Sequence, residues 1–277
     1  ASFAGIMEPA DRRLTLVDVT PVNRTRNFHN FGLETPEFFD DLFQRLVEAQ
    51  GFSAIAIESS FPRGRVVNEY VAGRGPASYE AIQETGFSHG FGKLEANRKL
   101  VEWMRSYNAD PAHRIQVRFY GFDSPTEFGP ADSPRPTLHF VLDYLAALAS
   151  ATAQKHRDLI DPLLGPDSEW EHPAALTDPA QSIGRSPAAA ALRAATEDLI
   201  SELQVCRPEW VAKGGEDRFL EALQYACVAR QLLNYHAVLA SDSSSRDRLV
   251  QGLGLRDAMM ADNLGYLAAR ERGRGKV

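Results

Sequence analysis

The sequence predicts an α/β fold: a mostly parallel sheet with flanking helices and a large helical insertion. Three observations predict it. Two short apolar runs, SAIAI at 53–57 and VRFYGF at 117–122, lack the polar alternation of a half-exposed strand, so they read as strands covered on both faces. Helical patterns stand directly before the first run and between the two, which is the rhythm of α/β units. From about 137 to 271 the apolar spacing is helical throughout.

LTLVDV at 14–19 reads as a first strand, and 20–34, with Pro, Asn, Arg and Gly and no period, as a loop. Thr35-Pro36 opens a helix, with Thr as N-cap and Pro at the first helical position. Phe38, Phe39, Leu42, Phe43, Leu46 and Val47 give that helix one apolar face, and Gly51 ends it. A second helix over 93–107 aligns Leu100, Trp103, Met104 and Tyr107, until Asn108, Asp110 and Pro111 stop it. Further helices follow over 137–150, 187–205, 216–240 and 256–271, with 161–186 as a long Pro/Gly/Asp-containing connection. Loops of that length in compact domains usually carry function. The expected organisation is an α/β segment over 1–136, a helical insertion or lid over 137–255, and a helix over 256–277 leading back into the core. Lys276-Val277 reads as the first step of another strand, so the sheet is expected to continue past the last residue given.

Composition narrows the function. A 277-residue chain that is 44% hydrophobic and 9% aromatic has the apolar material for a sizeable core and is not a disordered chain. A net charge of −7, with the basic tail RERGRGK at 270–276 as the nearest thing to a basic stripe, argues against nucleic acid as a partner. No apolar run reaches the 18 residues of a membrane span. ASFAGIMEPADRR lacks the basic segment and apolar core of a secretory signal. Cys206 and Cys227, 21 residues apart and with no CxxC, read as buried reduced thiols of a cytoplasmic protein. Oligomeric state is open, since the apolar helix 216–240 suits either the sheet or a partner.

Ligands of parallel α/β sheets bind beyond the carboxyl ends of the strands. Glu58 follows SAIAI and Asp123 follows VRFYGF, so both carboxylates are candidates for general base, orienting group or helix cap. SSFPRGRVVNEY sets Ser59, Ser60, Arg63 and Arg65 beside Glu58. Neither serine has a GxSxG elbow, and the arginines suit an anionic or carbonyl group or a plain salt bridge. In GFSHGFG at 86–92, His89 sits among glycines that permit close approach of a ligand, or packs in a turn on its aromatic neighbours. His29, in RNFHNFG, is a second loop histidine. The spacings GxGxxG, GxxxxGK[ST], HExxH and HxH are absent, so neither a cofactor nor a metal is expected. His236, in QLLNYHAVL, reads as a hydrogen-bonded core residue, with Arg230 and Asn234 on the same helix tying helices together or lining a pocket. RDAMMADN at 256–263 puts Arg256, Met260, Asn263 and Leu264 on neighbouring turns. An arginine at a helix N-terminus opposes the dipole, so Arg256 calls for a carboxylate such as Glu58.

GFSAIAIESSFPRGRVVNEYVAG, GFSHGFGKLEANRKLVEWMRSYN, VRFYGFD and RDAMMADNLGYLAARERGRGKV, in that order, resemble the erythromycin esterase-like family, and its actinobacterial members in particular. The resemblance covers about 36–277. It implies an α/β protein with helical insertions that opens an ester or macrolactone without a serine nucleophile, using a histidine-activated water and a glutamate. The glutamate of the family's AIE motif matches Glu58, and the arginine of RDxxMAxN matches Arg256. The family's Gly-Glu-x-x-His-Gly turn is not intact here, and His29 is its nearest counterpart. A second family histidine, in a Trp-Ala-His-Asn motif, belongs after Lys276-Val277. The resemblance thus implies catalysis by Glu58, His29 and Arg256, with His89, Arg63, Asp123 and Asn263 around a small-molecule ester or lactone of a macrolide or another polyketide. Two alternatives remain at this point: a natural-product modifying enzyme on the same scaffold, and a non-catalytic ligand-binding homologue.

Overall fold

The computed structural model describes residues 35–126 and 131–277, with side chains from 42 onward. The strand expected at 14–19, the loop at 20–34 and His29 lie outside the described residues.

Helix α1 (Thr35–Gln50) ends at Gly51, whose φ of 70° is the left-handed turn foreseen for a C-cap glycine. Phe43 and Val47 are buried, and Phe43 meets Trp103 edge-on at 5.9 Å. Strand β1 (Ala54–Ser60) starts one residue later than expected and runs on through Glu58, Ser59 and Ser60. Helix α2 (Phe61–Val71) was not legible in the sequence, because Pro62 and Gly64 imitate a turn. Proline is tolerated in a first helical turn. Gly64 serves packing: a Cβ there would overlap the backbone nitrogen of Gly121. Helix α3 (Glu95–Ala109) buries Leu100, Val101 and Met104, and strand β2 is Arg118–Asp123.

β1 and β2 are neighbours in a small parallel sheet. On the far side of β1, Lys276 forms a parallel bridge with Phe52, its carbonyl accepting from Ser53 and Ala54 N–H. The outer edge of β2 is covered by α2, where Asn68 Oδ1 accepts the Phe119 N–H at 3.1 Å. Side-chain capping of this kind satisfies edge groups that would otherwise invite another strand.

The chain divides into two compact units. Among the described residues, the first holds 35–58, Arg63–Gly121 and Leu264–Val277; the second holds Ser59–Pro62 and the described part of Phe122–Asn263. The core of the first unit gathers Val67, Tyr79, Ile82, Phe87, Val101, Met104 and Phe119. Beneath the strand starts, the buried Glu271 carboxylate accepts from Tyr120 Oη at 2.6 Å, Ser53 Oγ at 3.0 Å and Arg118 at 3.0 Å. Burial pushes the Tyr120 phenol well above its ordinary range, and the Glu271 charge adds to that.

The second unit is helical: α4 (Arg135–Leu148), α5 (Ser150–Leu164), α6 (Asp167–Trp170), α7 (Pro187–Val205), α8 (Arg207–Gly214), α9 (Glu216–Leu239) and most of α10 (Ser245–Glu271). α4 packs on α5 and α9, and α7 on the same two. The expected long connection 161–186 is corrected. α5 reaches Leu164 despite Pro162, and short 3₁₀ turns cover Pro173–Leu176 and Pro179–Gln181, capped by the His172 and Asp178 side chains. The segment is pinned by the buried Trp170, whose indole donates to the Leu164 carbonyl at 2.6 Å. The helix expected at 256–271 starts instead at Ser245. Gly252 and Gly254 each disfavour a helix by about 1 kcal/mol, which hid its first half, but burial of Arg248 and Met259 on that helix outweighs them. Arg256 therefore lies mid-helix, and the dipole argument for its partner lapses.

Cys206 and Cys227 are free and half-buried rather than fully buried, and burial pushes the Cys227 thiol up. Arg230 is half-buried, 3.7 Å from Glu197, while Asn234 is exposed and makes no side-chain hydrogen bond among the described residues. No described helix is long and apolar enough to cross a membrane.

Candidate active site

In the second unit the best-defined polar constellation forms where β2 ends. Asp123, the last residue of β2, is 1% exposed. Arg256 reaches it from α10 with two prongs, Nε to Oδ1 at 3.0 Å and a terminal nitrogen to Oδ2 at 2.7 Å. The arginine side chain itself is 14% exposed. Charge-assisted, two-pronged pairs of this kind are about twice as strong as neutral hydrogen bonds and fix orientation as well as distance. The carboxylate that the sequence called for beside Arg256 is, within this unit, Asp123.

Asn263 lies two turns further along α10 and is fully buried. Its Nδ2 donates to the Phe122 carbonyl at 3.0 Å, and its Oδ1 accepts from Gln224 of α9 at 2.7 Å. Gln231 of α9 donates to Asp262 at 2.8 Å. Tyr235, one turn on, is buried with Leu232, Leu239 and Met259. Burial raises its phenol pKa; the Arg256 charge opposes this and the Asp123 charge reinforces it. The phenol therefore stays protonated at neutral pH. Sequence reading missed Gln224, Gln231 and Tyr235. Their signal was a polar stripe at spacings of 7 and 4 on an otherwise apolar helix.

In the first unit, Glu58 occupies the carboxyl half of β1 and is half-buried. Arg63, in the first turn of α2, donates to the Phe87 carbonyl at 3.0 Å and so ties that turn to GFSHGFG. His89 holds a left-handed backbone, φ 56°, followed by Gly90 at φ 72°. A side chain bearing this conformation is uncommon. Its ring lies 5.5 Å from that of Phe91, tilted by 56°. Ser88, beside it, is buried, whereas Arg65 is exposed. A cavity of about 520 Å³ lined by His113, Arg114, Ile115, Gln116, Gly273 and Arg274 holds none of the residues singled out from the sequence.

His236 is a packed core residue, as its context indicated. It is 1% exposed, its Nε2 donates to the Asp132 carbonyl at 3.0 Å, and Trp170 meets its ring edge-on at 5.0 Å. Burial drops its pKa to about 4, so the ring is neutral. Among the described residues, no three His, Cys, Asp or Glu side chains gather as a metal site.

Chemically, the arrangement offers a clamped carboxylate–guanidinium pair and a protonated phenol in the second unit. The first unit offers a half-buried carboxylate and a histidine on a constrained turn.

Comparison with known proteins places these residues in context. A family model described as erythromycin esterase matches residues 47–277. Among solved structures, the chain is similar to a Bacillus cereus protein, with a TM-score of 0.64 and 18% identity over 86% of this chain and 50% of the other. It is similar to a succinoglycan biosynthesis protein, with a TM-score of 0.59 and 19% identity over 87% and 51% of the two chains. A mutant of the erythromycin esterase EreC in its open conformation gives a TM-score of 0.58 and 17% identity over 84% and 53%. The chain spans about half the length of each of these structures. At such identities the likeness is one of fold.

Proposed function

The chain belongs to the erythromycin esterase family, and on that premise we propose that it is a hydrolase of an ester or lactone, with a macrolide or another polyketide-like natural product as substrate. Glu58 orients and polarises the attacking water, and a histidine, His29 by family position, takes its proton. Arg256 faces the charge that develops on the acyl oxygen. Asp123 holds the guanidinium in place, and Asn263 fixes α10 against the end of β2. Arg63 and His89 border the substrate.

The observation that carries this reading is the buried Asp123–Arg256 pair. Burying two charges gains little stability over apolar residues of the same volume. A pair kept at the carboxyl end of a strand, where ligands of α/β proteins bind, is better accounted for by site chemistry than by folding.

A panel of p-nitrophenyl esters, with erythromycin lactone opening followed by mass spectrometry, tests it. Turnover by the parent and a loss of about 10²–10⁴-fold in Glu58→Gln is the expected result. Equal turnover by parent and variant sinks the role of Glu58. No turnover of any ester or lactone sinks the hydrolase reading.

A further inference from the structure

We propose that the cavity of about 520 Å³ at the amino ends of the strands is a binding site for the phosphate group of a small molecule. Its volume falls in the ordinary range of small-molecule sites, about 300–1,000 Å³. It lies wholly in the first unit: His113, Arg114, Ile115 and Gln116 precede β2, and Gly273 and Arg274 precede the Lys276 bridge. Glu58, in the carboxyl half of β1, is most of a strand's length away, roughly 15 Å. The site is therefore separate from the one proposed above and stands or falls independently of it. Its lining holds two arginines and a histidine and no acidic side chain, on a chain whose net charge is −7.

The loop that forms one wall is set before a ligand arrives, which lowers the cost of binding. His113 Nδ1 donates to the Tyr107 carbonyl at 2.8 Å, and the two rings stack at 3.6 Å. That leaves Nε2, a further donor when the ring is protonated. Asn108 grips the other end of the loop: its Oδ1 accepts the Val117 N–H at 2.7 Å, and its Nδ2 donates to the Val117 carbonyl at 2.9 Å. On the opposite wall, Arg274 donates from Nη2 to the Gln116 carbonyl at 3.1 Å. Its Nη1 is buried and has no hydrogen-bond partner among the described residues. Glu271 Oε1 lies 3.7 Å from Nη1 but already accepts from Tyr120 and Arg118. A buried N–H left without a partner is costly, and a ligand oxygen would satisfy it. Arg114 is exposed and makes no hydrogen bond or ion pair among the described residues. One carboxylate matches a single guanidinium fork. A phosphate group, with three terminal oxygens and nearly two charges, suits two guanidinium groups and an imidazole.

Isothermal titration calorimetry of the purified protein with inorganic phosphate, pyrophosphate and citrate tests it, comparing the parent with Arg114→Gln and Arg274→Gln. The parent is expected to bind both phosphate probes at one saturable site, and each variant to bind them about tenfold or more weakly. Arg114→Gln is expected to keep the parent's melting temperature, because its side chain holds nothing in the fold. Arg274→Gln gives up the bond to Gln116, so where it melts lower than the parent the decision rests on Arg114→Gln. Equal affinity in the parent and Arg114→Gln overturns the site. So does the absence of binding heat with both phosphate probes. Tighter binding of citrate than of pyrophosphate reassigns the cavity to carboxylates and overturns the phosphate class.

Discussion

Asp123 and Arg256 are 133 residues apart in the chain, and their pairing shows how single residues carry cost here. Removing either partner takes a two-pronged ion pair from a buried charge, at a cost of up to about 3–5 kcal/mol. Activity tests of this pair therefore need a stability measurement alongside. His236 makes a different demand. Its pKa falls from an ordinary 6.5 to about 4 because burial penalises the charged ring. The folded state stays neutral over that interval while the unfolded state takes up a proton. Its contribution is complete above pH 6.5 and is lost as pH falls toward 4, about 3 kcal/mol in all. The melting temperature is expected to drop from pH 7 to pH 4, and His236→Gln to flatten that drop. Parallel curves for the two proteins would show that other groups set the acid limit.

At the scale of elements, the packing of α2 along the edge of β2 depends on Gly64. Its missing side chain lets two backbones meet, and Asn68 then caps the strand edge. Gly64→Ala forces the helix away from Gly121 and is expected to cost about 3 kcal/mol, read as a lower urea midpoint with an unchanged slope. A midpoint equal to the parent's would mean that α2 shifts freely. The same glycine, with Pro62, concealed α2 from the sequence, as Gly252 and Gly254 concealed the first half of α10. In each case a residue with poor helix propensity is tolerated because tertiary burial outweighs about 1 kcal/mol of local preference.

On the scale of the molecule, each unit has its own core, and slow amide exchange is expected in two separate sets. One is Val101–Met104 with Phe119–Tyr120 in the first unit; the other is Leu199–Leu203 with Val228–Leu233 in the second. Protection confined to one set would mean that the other unit opens independently. Read alone, the sequence determined the α/β class, the family, β1 and β2 to within three residues at either end, and α7 to the residue. These are properties of local period and motif, which the chain carries without folding. Only the tertiary structure decided that Asp123 takes Arg256, that Asn263 spans Phe122 and Gln224, and that Tyr235 packs with Leu232, Leu239 and Met259. Those facts arise from side chains more than a hundred residues apart, or on neighbouring helices, meeting in a space too dry to leave their partners to water. Burial sets the cost of each choice, and burial is what a linear sequence does not display.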